Sequence, residues 1–420
     1  MGVEPRPLCT GVENVTRAAR FSSLSAAALS GWLGPSQITN VSTLPTDKKL
    51  VVLFLRGAMD GVSLLVPYGD DDYHRHRPTI GLGTVKSGVI DMDGFFGLHP
   101  AAAKLSHWYK EGKLAGIHAI GSMDQSRSHF EAMATMERGA KGDPQALSSG
   151  WLARALSVTS RPNVSPLRSV AFGNTLADTL RGDTIPSLIR SVNDLKLGGS
   201  KALRDVLRAQ YTQGHTAVHA SGIATLRLLD AMDKLDPNAY TPAFGASYPT
   251  SLTGESLRQT SLLIKANVGV NAVFLDSTGW DSHVTQGTST GYLAGLFLDL
   301  SESLNAFATD LGPQLESTTV IVMTEFGRRI PENSALGTDH GRASAWLALG
   351  GGVCGGKVHA KWPGLKAEQL EGPGDLRVTT DYRDVLSEAC HFVLGTQLSS
   401  NTIFPGHQYR ASGAFPCAAP

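Results

Sequence analysis

The sequence predicts an α/β protein of three layers, helix, sheet and helix, around a largely parallel central sheet. Two observations carry this. The runs Leu50–Leu55, Ala272–Leu275 and Thr318–Met323 are strongly apolar and rich in β-branched residues. Such runs read as strands buried on both faces, which is how parallel sheets are built. Between and beside them lie segments with helical spacing, Tyr292–Leu311 above all, and strands alternating with helices imply parallel crossovers.

The elements follow in order. The first strand opens near Lys49 and runs into Arg56-Gly-Ala-Met-Asp60-Gly61, and Pro67–Pro78 is a turn-rich stretch dense in Asp and Tyr. Pro100–Lys110 has helical spacing, and Ala115–Ile120 reads as a second strand ending at Gly121. Ser128–Arg138 reads as a helix that Ser128 is well placed to cap. Val170–Gly173 is a short strand. Lys201–Asp236 is polar, periodic and mainly helical, which suggests a helical cap inserted around residues 200–250, and Pro237–Pro249 is a loop. Ala272–Leu275, Tyr292–Leu311, Thr318–Met323 and Ala345–Leu349 form a β-α-β run, and Asp381–Leu394 is the last helix. The candidate chemistry is divided between the first strand and the third quarter of the chain. One domain, residues 46–412, is therefore expected to bring it together.

Composition narrows the function. The apolar content of 41% supports a large core. Lysine plus arginine balances aspartate plus glutamate at 37 each, which gives no reason to expect nucleic acid or an anionic membrane as partner. Cys9, Cys354, Cys390 and Cys417 contain no Cys-x-x-Cys pair, so a thiolate zinc site or redox motif is not expected. Residues 1–45 hold Arg17 and Arg20, then a short apolar stretch from Leu24 to Leu33. That pattern reads either as a degenerate export signal, implying a periplasmic or secreted protein, or as a flexible tail of a cytoplasmic one. No segment reads as an integral membrane span.

Acids and histidines gather just past the apolar runs. The carboxyl ends of parallel strands are where open α/β sheets place ligand sites, and mixed carboxylate and imidazole groups suit a divalent metal. Asp60 sits between glycines after the first strand, although an Asp there also stabilises a turn through its own backbone. Asp281 and His283, two apart, share a face of an extended segment and can reach one ion, though a surface pair would look the same. Glu325 ends the Thr318–Met323 run, where either a metal or Arg328 and Arg329 would compensate its charge. Arg328 is equally a candidate for gripping a substrate oxyanion. Asp339 and His340 lie in the glycine-flanked turn Gly337–Gly341. Ser128 at a helix start is the nucleophile candidate, with His129 beside it, although Ser is also a common cap and His129 a plausible interior imidazole. Gly351–Lys357 has Walker A spacing, but Val358 stands where Ser or Thr is required. There is no His-Glu-x-x-His motif.

Arg56–Gly61, Gly97-Leu-His-Pro100, Ser126–Phe130, Gly279–His283, Thr324–Arg328, Gly337–Gly341 and Thr380–Arg383, taken in order, resemble the DUF1501 family over roughly residues 48–400. The resemblance implies a bacterial protein with an alkaline phosphatase-like fold, from the superfamily that transfers phosphoryl or sulfuryl groups with two divalent metals. It also implies Asp60, Asp281 and His283 as metal ligands, with Glu325 where others carry Asp-His, Asp339 and His340 supplying the imidazole, and Ser128 as nucleophile. The formylglycine sulfatase motif is absent around all four cysteines. The expectation is a metal-dependent hydrolase of phosphate or sulfate esters with a one- or two-metal centre. Zinc is favoured, with manganese, magnesium and calcium compatible, and a small-molecule or glycan ester is the substrate. The alternatives are a binding or assembly protein that keeps the fold without catalysis, and a formylglycine-independent sulfatase.

Overall fold

The computed structural model describes residues 48–416, apart from 141–142, 160–164, 185, 196–200 and 234. The export segment expected at residues 1–45 lies outside the described residues. Two compact units are present. The larger comprises Thr43–Gly198 and Arg227–Pro420, and the smaller includes Gly199–Leu226. The smaller unit's described residues form the helix Lys201–Thr212, a bend over 213–216 and the first part of the helix Ala217–Met232.

Twelve strands occur along the described chain: β1 Lys49–Leu55, β2 Leu65–Val66, β3 Ile90–Asp91, β4 Gly97–Leu98, β5 Leu114–Gly121, β6 Ser169–Phe172, β7 Ser187–Ile189, β8 Ala272–Ser277, β9 Thr318–Met323, β10 Ser344–Gly350, β11 Val358–His359 and β12 Thr380–Asp381. Nine of them form one sheet in the order β11-β5-β10-β9-β1-β8-β6-β7, with β12 also paired to β5. Every pairing is parallel except the two made by β10, which runs antiparallel to both β9 and β5. The β-α-β reading of the second half therefore holds as far as β9 and stops there. Residues 324–343, between β9 and β10, contain no helix. A strand that returns antiparallel needs no crossover helix.

The continuous apolar runs are explained by burial on both faces. In β1, Val51, Leu53 and Leu55 enter one core cluster, and Leu50, Val52 and Phe54 enter the other. In β9, Val320 and Val322 alternate in the same way with Ile321 and Met323. The first cluster is closed by the helices Tyr292–Leu311 and Leu252–Lys265, through Phe297, Leu304, Phe307 and Leu263. Trp151, Leu156, Tyr382 and Leu386 close the second, from the helices Trp151–Val158 and Tyr382–Ala389. These are the three expected layers. The helix Tyr292–Leu311 stops where Gly312 adopts φ +51° and Pro313 follows, a pair that cannot extend it. Among the described residues no helix is long and apolar enough to cross a membrane.

A candidate metal centre at the carboxyl ends of four strands

The segments that follow β1, β5, β8 and β9 meet at one edge of the sheet. Two sets of hydrogen bonds, all between backbone groups except the one from the Asn333 side-chain amide, stitch them together. Within residues 324–343 the chain folds back on itself, with Gly341 N donating to the Gly327 carbonyl (2.8 Å) and Arg329 N to the Asp339 carbonyl (2.9 Å). The segment after β8 is tied to this fold through Thr285 N to Ala335 O (2.8 Å), Gln286 N to Leu336 O (2.9 Å) and the Asn333 amide to His283 O (3.0 Å). The segment after β1 then crosses very closely. A Cβ on Gly57, which has φ +120°, would lie 2.7 Å from the Asp281 nitrogen, so only glycine fits.

Three imidazoles and a carboxylate converge there. His129 Nε2 lies 3.0 Å from His340 Nε2, and His283 Nε2 lies 2.9 Å from the same atom. Asp281 Oδ1 is 3.2 Å from His340 Nε2 and 3.0 Å from His283 Nε2, and its Oδ2 is 3.5 Å from His129 Nε2. Ligand atoms of His129, Asp281 and His340 lie within 4.8 Å of one another, close enough to share one ion. Phe326 stacks on the His129 ring at 5.0 Å and holds its plane.

The other ring nitrogens set the tautomers. His129 Nδ1 faces Glu325 Oε1 at 2.8 Å, and His340 Nδ1 faces the Arg127 carbonyl at 2.9 Å. A carboxylate and a carbonyl can only accept, so both Nδ1 atoms donate and both Nε2 atoms present lone pairs in the neutral rings. Two lone pairs 3.0 Å apart repel unless a proton or a metal ion sits between them. The Glu325 hydrogen bond raises the His129 pKa above the ordinary imidazole value, whereas burial lowers that of His340. Burial alone would raise the Asp281 pKa, but the hydrogen bond and charge of Arg328 override it and hold the carboxyl below its usual range. Nitrogen donors with one carboxylate form a set that suits zinc.

Several expected roles change. Asp60 is fully buried and is not brought into the cluster. Arg77 grips both its oxygens (2.6 and 3.1 Å), and Ser63 and Gln286 donate to Oδ2 at 2.7 and 3.0 Å. Glu325 is turned away from the ligand position. Its Oε1 accepts from the N–H groups of Gly57 (2.8 Å) and Ala58 (2.9 Å) as well as from His129, so it orients a histidine instead of facing an ion. His129, expected in catalysis, stands among the candidate ligands. Arg328, expected to grip substrate, is fully buried and spent. It donates to the carbonyls of Ala58 (2.7 Å), Gly57 (2.6 Å) and Thr338 (3.1 Å) and to Asp281 Oδ1. Asp339 is held by Arg329 (3.2 Å) and Asn333 (3.1 Å), with its Oδ1 3.8 Å from His283 Nδ1. Ser128 is the half-buried N-cap of the helix His129–Arg138, and its side chain makes no cap bond.

A family model described as "Protein of unknown function (DUF1501)" matches residues 115–406. The chain belongs to the DUF1501 family. No curated protein matches this DUF1501 chain. Among solved structures it is similar to the lipoteichoic acid synthase LtaP from Listeria monocytogenes, at 10% identity over 90% of this chain and 81% of that one, TM-score 0.38. It is also similar to PsFucS1 sulfatase from Pseudoalteromonas sp. (12% identity, 84% and 68% covered, TM-score 0.33). A third is the alkaline phosphatase from the Antarctic bacterium TAB5 (13% identity, 75% and 95% covered, TM-score 0.32). At these identities each is a likeness of fold alone.

Sequence reading missed the groups that hold the site in place. Arg77 lies in Asp70–Arg77, a charge-rich stretch that reads as solvated, and nothing in its pattern marks one arginine as fully buried. Gln286 and Asn333 carry no sequence signal beyond proximity to His283 and Asp339.

Proposed function

We propose that this DUF1501 protein is a metal-dependent hydrolase of phosphate or sulfate esters, built on a single divalent ion with zinc favoured. The observation that carries the reading is the meeting of His129 Nε2 and His340 Nε2 at 3.0 Å, each with its other nitrogen committed to an acceptor, beside Asp281. His129, His340 and Asp281 would hold the ion, with His283 as the fourth donor. A single ion is favoured because Asp60 and Glu325, the carboxylates a second ion would need, are engaged elsewhere.

When bound, the ion polarises an ester oxygen and offsets the negative charge that develops on it. The protein's own groups supply position and proton control. Glu325 and the Arg127 carbonyl fix the imidazoles with lone pairs inward. Arg328 is a positioning residue that keeps Asp281 ionised and aimed. The Ser128 hydroxyl, next in chain to a candidate ligand and at the positive end of a helix, is the nucleophile candidate. The substrate is a small-molecule or glycan ester.

Metal analysis of the purified chain and hydrolysis of p-nitrophenyl phosphate and p-nitrophenyl sulfate test this. Wild type should carry about one equivalent of metal and turn over one ester, and His340→Ala and Asp281→Ala should lose both. A metal-free wild type whose turnover is indifferent to added zinc and to both substitutions would end the reading. Bound zinc without turnover of any ester would make the protein a binding module on the same fold.

A further inference from the structure

Beyond the metal centre, a cavity of about 680 Å3 opens on the side of β5 away from β10. Its walls are the residues around β11, the start of the helix Tyr382–Ala389 and the segment 406–412. The volume falls in the range of small-molecule sites, about 300–1,000 Å3.

Its formal charge is net positive, four cations against two carboxylates. Four cations line it: Lys357, Lys361, Arg383 and Arg410. Both acids in its wall are already spent. Asp381 accepts from Arg383 through Oδ1 (2.9 Å from Nε) and Oδ2 (2.6 Å from Nη2), and this pair is buried at 5% and 9% side-chain exposure. Asp384 Oδ1 accepts from His407 Nε2 (2.7 Å) and from the Arg410 backbone N–H (2.8 Å). The ammonium groups of Lys357 and Lys361 and the Arg410 guanidinium have no carboxylate partner among the described residues. The glycine-rich Gly351–Lys357 stretch, which lacks the Walker sequence, thus delivers Lys357 to this cavity. Thr380 and Gln408 add neutral polar atoms to the lining.

We infer that this cavity binds a doubly anionic, hydroxylated small molecule of sugar-bisphosphate size, independently of the metal centre. The rigid Arg383–Asp381 pair forms part of its wall, and the two lysines with Arg410 supply the unpaired charge that meets oxyanions.

Titration calorimetry of the full chain with glucose 1,6-bisphosphate, at low salt, tests the inference. The protein carries Asp281→Ala, so the metal centre neither holds nor consumes the probe. Saturable binding is expected, weakened by added salt. It should fall about tenfold or more when Lys357→Ala and Lys361→Ala are combined. Both lysines are exposed, so the thermal midpoint should not move and a folding defect is separable. Neutral glucose should not bind. Absence of binding, affinity indifferent to the lysines, or equal binding of glucose would each overturn the inference. Binding seen with wild type and lost with Asp281→Ala would assign the probe to the metal centre and equally overturn it.

Discussion

Glu325→Gln removes one charge and almost no volume from behind the candidate centre. In the native chain Oε1 receives three N–H groups, from Gly57 (2.8 Å), Ala58 (2.9 Å) and His129 Nδ1 (2.8 Å). A glutamine whose amide oxygen takes the Oε1 place keeps all three. Its amide nitrogen then lies beside Thr324 Oγ1, 3.1 Å from the present Oε2. That hydroxyl already donates to the Leu55 carbonyl (2.8 Å) and has a lone pair left to accept. The fold should therefore survive. What is lost is the charge: a hydrogen bond to a charged acceptor contributes about 1.5–3 kcal/mol and a neutral one about 1 kcal/mol. The difference, about 0.5–2 kcal/mol, corresponds to about two- to thirtyfold in zinc affinity, overlapping the range of about 10–100-fold for groups that orient metal ligands. Competition against a chromophoric chelator measures it, with the thermal midpoint as the folding control. Unchanged zinc affinity in a folded Glu325→Gln protein would refute the claim that this carboxylate tunes a metal-binding imidazole.

Other expectations follow from the same neighbourhood. Arg77→Met strands Asp60 in a fully buried place and should cost about 3–5 kcal/mol in chemical denaturation. A loss below about 1 kcal/mol would show that the pair is not structural. Burial opposes ionisation of Asp60, but Arg77, Ser63 and Gln286 together hold its pKa below the ordinary carboxylate value. Its stabilisation is thus complete above the unfolded carboxyl's pKa of about 4 and is lost only as pH falls through the lower, folded value. Asp60→Asn should remove that component of acid unfolding, and an unchanged pH profile would contradict it. Gly57→Ala adds a Cβ 2.7 Å from the Asp281 nitrogen at φ +120°. It should destabilise by about 1–3 kcal/mol and weaken zinc binding with it, and wild-type values for both would show that the crossing is loose.

Much of this architecture was legible from apolar runs alone. Leu50–Leu55, Ala272–Leu275 and Thr318–Met323 are buried on both faces because the sheet is covered on both. Acids and imidazoles placed just past those runs named Asp281, His283 and His340, and the helix start named Ser128 with His129; the structure brings the three histidines and Asp281 side by side. Strand direction was not legible in β10. An apolar run buried in a sheet interior has the same composition whichever way it points, and only the lack of a helix in residues 324–343 marks the reversal. Nor could the allegiance of Asp60 and Glu325 be read. Each is decided by partners distant in the chain or by backbone N–H groups, Arg77 in one case and Gly57 with Ala58 in the other, and a residue pattern does not encode where those point.

The reversal of β10 has its own outcome for how such a protein diversifies. Residues 324–343 leave β9 and return to its immediate neighbour, so both feet of the loop stand side by side on the same rim. Glu325, Arg328, Asp339 and His340 therefore sit on one loop, and a change to it reaches the candidate ligand His340 and the groups that orient His129 and Asp281 in a single step.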